Sequence, residues 1–232
     1  MNIIYGIGRV KEKFKNAVLA IGVFDGLHRG HQALVKKAIA RAKELRGEAC
    51  VMTFDPHPVH VLQPDVYLPL IVSLPYRLYL FKKIGVATAF VINFTKKFSQ
   101  LSPQKFIKRY IVDTVRPKEV FVGDDFRFGK DRAGTLEYFR QAAKKYGFRV
   151  RVIEAVRGGA HKISSTFIRQ LIAGGKLKDA QKLLGRRVAL LGKVVRGDAR
   201  GKTLGYPTAN IYPQGEVIPP MGVYACQTRS RS

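Results

Sequence analysis

Residues 22–31 read Gly-Val-Phe-Asp-Gly-Leu-His-Arg-Gly-His, and they join an apolar run (Ala17 to Ile21) to a helical pattern. A strand therefore feeds a glycine-rich turn, which feeds a helix N-terminus carrying His28 and His31. That arrangement suits a polyphosphate, because the first N–H groups of a helix are unpaired and the helix dipole is positive at that end. Gly26 and Gly30 let the backbone approach a ligand closely, and Gly30 is expected to tolerate a positive φ. Imidazoles three residues apart share one face of the first turn, where both can donate hydrogen bonds to phosphate oxygens. A plain surface pair at a helix start is the alternative. His57 and His60 form a second His-x-x-His, which raises zinc. Zinc takes three or four ligands, and neither His-Glu-x-x-His nor Cys-x-x-Cys spacing occurs, with Cys50 the sole nearby thiol.

The elements that position these residues follow from periodicity. Leu34, Val35, Ala38, Ile39, Ala42 and Leu45 recur at helical spacing within 31–46, with lysines and arginines between them, and Gly47 ends the helix. Ala49 to Phe54 reads as a strand and Asp55-Pro56-His57-Pro58 as a loop. Helices are predicted from Ser73 to Ile84, from Ser102-Pro103 onward, and from Thr135 to Tyr146. Val86 to Ile92, Glu119 to Val122 and Phe148 to Ile153 are predicted strands. Strand and helix in alternation predict an α/β fold with a doubly wound parallel sheet, ligands sitting at the carboxyl ends of its strands. His28, Asp55 and Asp124 all fall just past strand ends. Two short helices fill 164–184 around Gly174-Gly175, and from Arg186 the pattern changes to short strands and turns. The domain boundary is expected at residue 185, giving units 1–185 and 186–232.

Two more segments carry usable chemistry. Gly123-Asp124-Asp125-Phe126-Arg127-Phe128 follows a strand with carboxylates, an arginine and two aromatics; Phe126 and Phe128 suit a ligand platform or the core equally. Ser164-Ser165-Thr166 opens a helix with three hydroxyls and puts Arg169 one turn on. Hydroxyls at a helix start can hold a triphosphate, and the guanidinium can offset charge on departing pyrophosphate. Ordinary N-capping is the alternative for the hydroxyls.

The Gly-x-Phe-Asp-Gly-x-His-x-Gly-His segment resembles the signature of the His-x-Gly-His nucleotidyltransferases. With Asp55-Pro56-His57-Pro58, 122–129 and 163–169, it resembles the N-terminal FMN adenylyltransferase domain of the prokaryotic bifunctional riboflavin kinase/FAD synthetases, a Rossmann-like nucleotidyltransferase fold. The resemblance implies transfer of AMP from ATP to FMN, giving FAD and pyrophosphate with Mg²⁺. It assigns catalysis to His28, His31, Ser165, Thr166 and Arg169, and substrate binding to Gly22, Phe24, Asp25, Gly26, Gly30, Asp55, Asp125, Phe126, Phe128 and Ser164. Mg²⁺ is expected to arrive through ATP oxygens and water.

The tail 197–210, Gly-Asp-Ala-Arg-Gly-Lys-Thr-Leu-Gly-Tyr-Pro-Thr-Ala-Asn, resembles the start of the riboflavin kinase module, where Thr208 and Asn210 would serve the metal and ATP. Met221-Gly222-Val223-Tyr224-Ala225 fits the strand that follows, and then the pattern departs. Forty-seven residues cannot close a β-barrel, so an incomplete barrel fragment is expected here, with riboflavin phosphorylation lost. Runner-up readings are a His-x-Gly-His transferase for another acceptor, such as a pantetheine or nicotinamide nucleotide or a CMP transferase, and a basic nucleotide- or RNA-binding protein without catalysis.

Composition bounds these readings. With 46% apolar and 10% aromatic residues, the chain has the material for a packed core. Neither a membrane-length apolar run nor a signal peptide is read from it, and two distant cysteines make no disulfide framework, so a cytoplasmic protein is expected. The net charge of +26 is spread: 34 Lys/Arg against 14 Asp/Glu in 1–185, and 8 against 2 beyond. Charge of that kind steers anionic nucleotides inward and makes nucleic acid adhere nonspecifically, without specifying it as a partner.

Overall fold

The central strands are buried along nearly their whole length, and successive side chains go alternately to one of two helical layers. The computed structural model describes residues 1–7, 14–158, 161–197, 205–206 and 208–229. In chain order its main elements are β1 (Asn2–Tyr5), β2 (Val18–Ile21), α1 (Arg29–Glu44), β3 (Ala49–Asp55), α2 (Pro58–Leu62), α3 (Leu74–Ile84), β4 (Thr88–Asn93), α4 (Lys96–Ser99) and α5 (Pro103–Phe106). There follow β5 (Glu119–Gly123), α6 (Leu136–Tyr146), β6 (Arg149–Ile153), β7 (Arg157–Gly158), β8 (His161–Lys162), α7 (Ser165–Ala173), α8 (Leu177–Leu184), β9 (Gly192–Val195) and β10 (Asn210–Pro213). A π-helical stretch, Ile107–Val112, continues α5.

Six strands form one sheet in the order β1-β4-β3-β2-β5-β6. All its pairs are parallel, with Val18 opposite both Ala49 and Glu119 in the centre. Val18, Ala20, Val51, Ala89 and Val91 face one layer with apolar residues of α1, α3, α7 and α8. Leu19, Ile21, Cys50, Met52, Phe90 and Ile92 face the other, with Phe106, Ile107, Ile111 and Phe139. A sheet covered on both faces is the predicted doubly wound α/β arrangement. Chain order reverses between β2 and β5, and such a switch point opens a crevice at the carboxyl ends of the strands.

Two elements add to the sequence reading, and one expectation needs correction. Asn2–Tyr5 is a strand, paired with β4 at the sheet edge; it is short and mostly exposed, without the long apolar run that marks the central strands. The Asp55–Pro58 loop passes directly into α2, whose N-terminus His57 caps through Nδ1. Gly30 does not have positive φ: it lies within α1, and the left-handed residues are Phe24 (φ 55°), Gly26 (φ 81°) and Leu27 (φ 38°). Gly30 instead leaves room beside His28, since a Cβ there would stand 3.2 Å from that ring and push it by a few tenths of an ångström.

Beyond Gly185, β9 and β10 make a two-stranded antiparallel sheet. Within the kinase-like tail 197–210, residues 198–204 and Pro207 lie outside the described residues.

Candidate active site

The turn between β2 and α1 is held by its carbonyl oxygens. Val23 O accepts from Thr53 Oγ1 (2.9 Å) and from Arg77 Nη1 (2.6 Å). Asp25 O accepts from Ser165 Oγ at 2.9 Å, and Gly26 O from Arg186 Nη2 at 2.6 Å. Leu27 O accepts from Gln32 Nε2 at 2.8 Å and Arg186 Nη1 at 3.3 Å. Donors from β3, α3, α7, α1 and the segment after α8 thus engage lone pairs that would otherwise repel an anion. Gly26 is required here twice over: its φ is left-handed, and a Cβ would approach Ile71 to 2.9 Å.

His28 caps α1, its Nδ1 accepting from the His31 N–H at 3.3 Å. With Nδ1 an acceptor, the neutral ring carries its proton on Nε2 and can donate from there. The His28 and His31 rings stack with centroids 3.6 Å apart, and Phe24 supports His31 edge-on from the core. Burial, then Arg186, pushes His28 down to about 4. Burial, then the neighbouring His28, then Arg77, holds His31 well below the ordinary histidine range. Both imidazoles are therefore neutral near pH 7, and His31 Nδ1 is buried without a hydrogen-bond partner.

Asp25 is buried at 2% exposure and is fully engaged. Its carboxylate accepts from the N–H groups of Ile71 (2.9 Å) and Val72 (3.2 Å) and from Arg169 Nη2 (2.8 Å). Arg169 Nε in turn donates to Pro69 O at 2.7 Å. The β2–α1 turn, the 69–72 loop and α7 are thereby tied into one unit. Asp25 thus holds the turn, the loop and α7 together.

The structure brings His28, His31, Asp25, Ser165 and Arg169 into this unit, with Ser164 capping α7 through the Phe167 N–H and Thr166 exposed on its first turn. Asp55 stands at the end of β3, 3.7 Å from Arg77 Nη2. Asp125 is exposed past β5, where Lys162 lies 3.5 Å from it and 3.4 Å from Asp124. Gly22 lies against the Phe24 ring, which a Cβ would meet at 3.0 Å. Phe24 and Phe128 are core residues, at 1% and 7% exposure. Phe128 packs against Phe106 and Phe139, leaving Phe126, half-buried and stacked on it, as the outer ring. Thr208, just before β10, and Asn210, its first residue, are exposed.

Arg77 and Arg186 escape sequence reasoning, and His57, read there only in the loop motif and as one of a histidine pair, joins them at the site. Arg77 is buried in α3, donating to Val23 O and to Phe54 O (3.1 Å), and an arginine inside the apolar run Leu74–Leu80 was its signal. Arg186 lies one residue past the expected domain boundary and projects back onto the turn, over the Tyr76 ring. His57 is lowered to about 4 by burial, with Asp25 opposing and His60, Arg169 and Arg77 reinforcing, so it faces the same charged cluster. Beside it, an open cleft of about 490 Å³ at the ends of β1, β3 and β4 is lined by Tyr5, Gly6, Asp55, Pro56, Val91 and Asn93. Among the described residues, no three His, Cys, Asp or Glu side chains converge to hold a metal ion.

Comparison with known proteins fits this geometry. The FAD synthetase family model matches residues 10–167 and the riboflavin kinase model matches 184–232. The bifunctional riboflavin kinase/FMN adenylyltransferase of Escherichia coli (strain K12) is 36% identical over 228 residues, 98% of this chain and 73% of that protein. The Listeria monocytogenes protein of the same description is 38% identical over 216 residues, 92% of this chain and 68% of its own length. A solved Streptococcus pneumoniae structure, described as a macrolide-efflux protein, superposes with a TM-score of 0.81 at 34% identity, covering 94% of this chain and 72% of that one. No helix among the described residues here is long and apolar enough to cross a membrane. A nucleotidyltransferase turn pinned from five directions, two consecutive family matches and relatives aligned along nearly the whole chain lead to one assignment: the chain belongs to the bifunctional riboflavin kinase/FMN adenylyltransferase family, with an FAD synthetase domain first.

Proposed function

We propose that this chain transfers AMP from ATP to the 5′-phosphate of FMN, releasing pyrophosphate and forming FAD. The observation that carries this reading is the pair of stacked, neutral imidazoles at the α1 N-terminus, set against the Asp25–Arg169 pair at the carboxyl end of the parallel sheet. In-line attack of an FMN phosphate oxygen on the α-phosphorus breaks the bond to pyrophosphate and needs no covalent enzyme intermediate. His28 and His31 donate to triphosphate oxygens, and their protonation becomes favourable once that charge arrives. Ser164, Ser165 and Thr166 offer hydroxyls at the α7 start. Arg169 is placed to meet the departing pyrophosphate, exchanging part of its contact with Asp25. The 490 Å³ cleft beside the Asp55–His57 turn is of a size for a flavin ring.

Mg²⁺ supplies charge neutralisation on the triphosphate when it is bound there. Such an ion keeps much of its water shell and would travel with ATP. Two free thiols, Cys50 and Cys226, fit a cytoplasmic setting.

For the second module we propose no riboflavin phosphorylation by these residues as they stand. Val194, Tyr212, Met221 and Val223 are 70% or more exposed, and Thr208 and Asn210 lie open to solvent. Replacing Arg169 with alanine tests the adenylyl reading: pyrophosphate release from FMN and Mg-ATP should fall at least about a hundredfold, as for loss of a charge-stabilising donor. An unchanged rate would remove Arg169 from the reaction.

A further inference from the structure

Glu216 is a carboxylate of the kinase-like segment, yet it is 2% exposed and buried against the first domain. Its Oε1 accepts from the Ser73 N–H at 3.2 Å and its Oε2 from the Gln214 N–H at 2.7 Å. On either side of it the backbone joins the 69–73 loop: Leu70 N–H donates to Gly215 O at 2.9 Å, and Val217 N–H donates to Leu70 O at 2.7 Å. Val217, 4% exposed, enters the same apolar layer as Phe24, Leu27, Ile71 and Val72.

Ser73 is the N-cap of α3, but its hydroxyl caps nothing and is buried without a partner. In a capping box, an acidic side chain at the third helical position returns to the N–H of the cap residue. That position in α3 holds Tyr76, which cannot do this. Glu216 makes the missing bond from 143 residues away, and its negative charge suits a helix N-terminus.

What α3 and its leading loop carry is the site. The 69–72 loop is gripped from the other side by Asp25 and Arg169, and α3 supplies Arg77 to Val23 O and Tyr76 beneath Arg186. We propose that Glu216 is a positioning residue for adenylyl transfer, a clamp from the second module that fixes the loop shared by Asp25 and Arg169. This rests on the adenylyltransferase reading above.

The test compares the full chain with Glu216→Ala and Glu216→Gln by two readouts. One is the steady-state rate of FAD formation from FMN and Mg-ATP; the other is amide hydrogen exchange across residues 68–78, with β4 as the check that the fold persists. Glu216→Ala should lower kcat by about ten- to a hundredfold, as for a group displaced by about an ångström from outside the site. KM for FMN should stay within about twofold, since a displaced Arg169 affects the transition state most. Exchange should quicken in 68–78 while β4 stays protected. Glu216→Gln, which keeps one acceptor oxygen, should fall between Ala and wild type. A kcat within twofold of wild type in Glu216→Ala overturns the proposal, and so does a slower enzyme whose 68–78 exchange is unchanged. A wild-type chain inactive toward FMN overturns the functional reading instead; faster exchange confined to 68–78 in the variant would still establish the clamp.

Discussion

His28 and His31, stacked 3.6 Å apart and largely removed from water, cannot both hold a proton in the resting protein. Their charge is thus available for an incoming triphosphate, and binding should draw protons from solution; calorimetry in buffers of different ionisation enthalpy at pH 6.5 should show net uptake. His28→Ala or His31→Ala should lower turnover by roughly 10²–10³-fold, and a drop below threefold in either would remove that histidine from the mechanism. Stability should also depend on pH through these groups. His28 and His57 lie near pKa 4, and His31 well below its ordinary value, whereas in the unfolded chain all three bind protons near pH 6.5. The unfolded state therefore holds more protons between about pH 6.5 and 4, so stability is highest above that window and falls as the pH drops through it. Urea melts from pH 7.5 to 4.5 should show this slope, and His28→Asn, which can still cap α1, should flatten it. A stability independent of pH across the window would contradict the buried, neutral assignment.

At the scale of elements, the site is a turn whose carbonyls are fixed by donors from elsewhere. Arg186→Ala leaves Gly26 O without its side-chain donor and should destabilise the fold by about 1–3 kcal/mol, measured by denaturant unfolding. Gly26→Ala combines a left-handed φ with a Cβ 2.9 Å from Ile71 and should cost at least as much, with FAD synthesis impaired. Equal stability of Gly26→Ala and wild type would mean that the turn relaxes freely. These elements also show what the sequence revealed. The β2–turn–α1 unit was legible because an apolar run, glycines and helical spacing all agree locally, and Ser73, Ser102 and Thr135 were readable as helix starts for the same reason. Arg77, Arg186 and the engagement of Asp25 with Ile71, Val72 and Arg169 were not, because their partners lie far along the chain and only the folded sheet brings them near. Phe128 was ambiguous in sequence because a strand-end aromatic serves core and ligand alike; packing against Phe106 and Phe139 decides it.

For the whole molecule, composition marks residue 185 as a change of pattern, but the physical contacts cross it. Arg186 holds the β2–α1 turn, and Glu216 and Val217 are buried against the first domain. A chain stopped after Gly185 should therefore melt lower and synthesise FAD more slowly than the full chain, measured side by side; matched values would make the second module a passive attachment. The central claim is tested most directly by a chromatographic product assay on the purified chain, one reaction holding FMN with Mg-ATP and the other riboflavin with Mg-ATP. The account predicts FAD and pyrophosphate from the first and nothing from the second. No FAD from FMN would contradict the adenylyltransferase assignment, and FMN formed from riboflavin would contradict the silent second module.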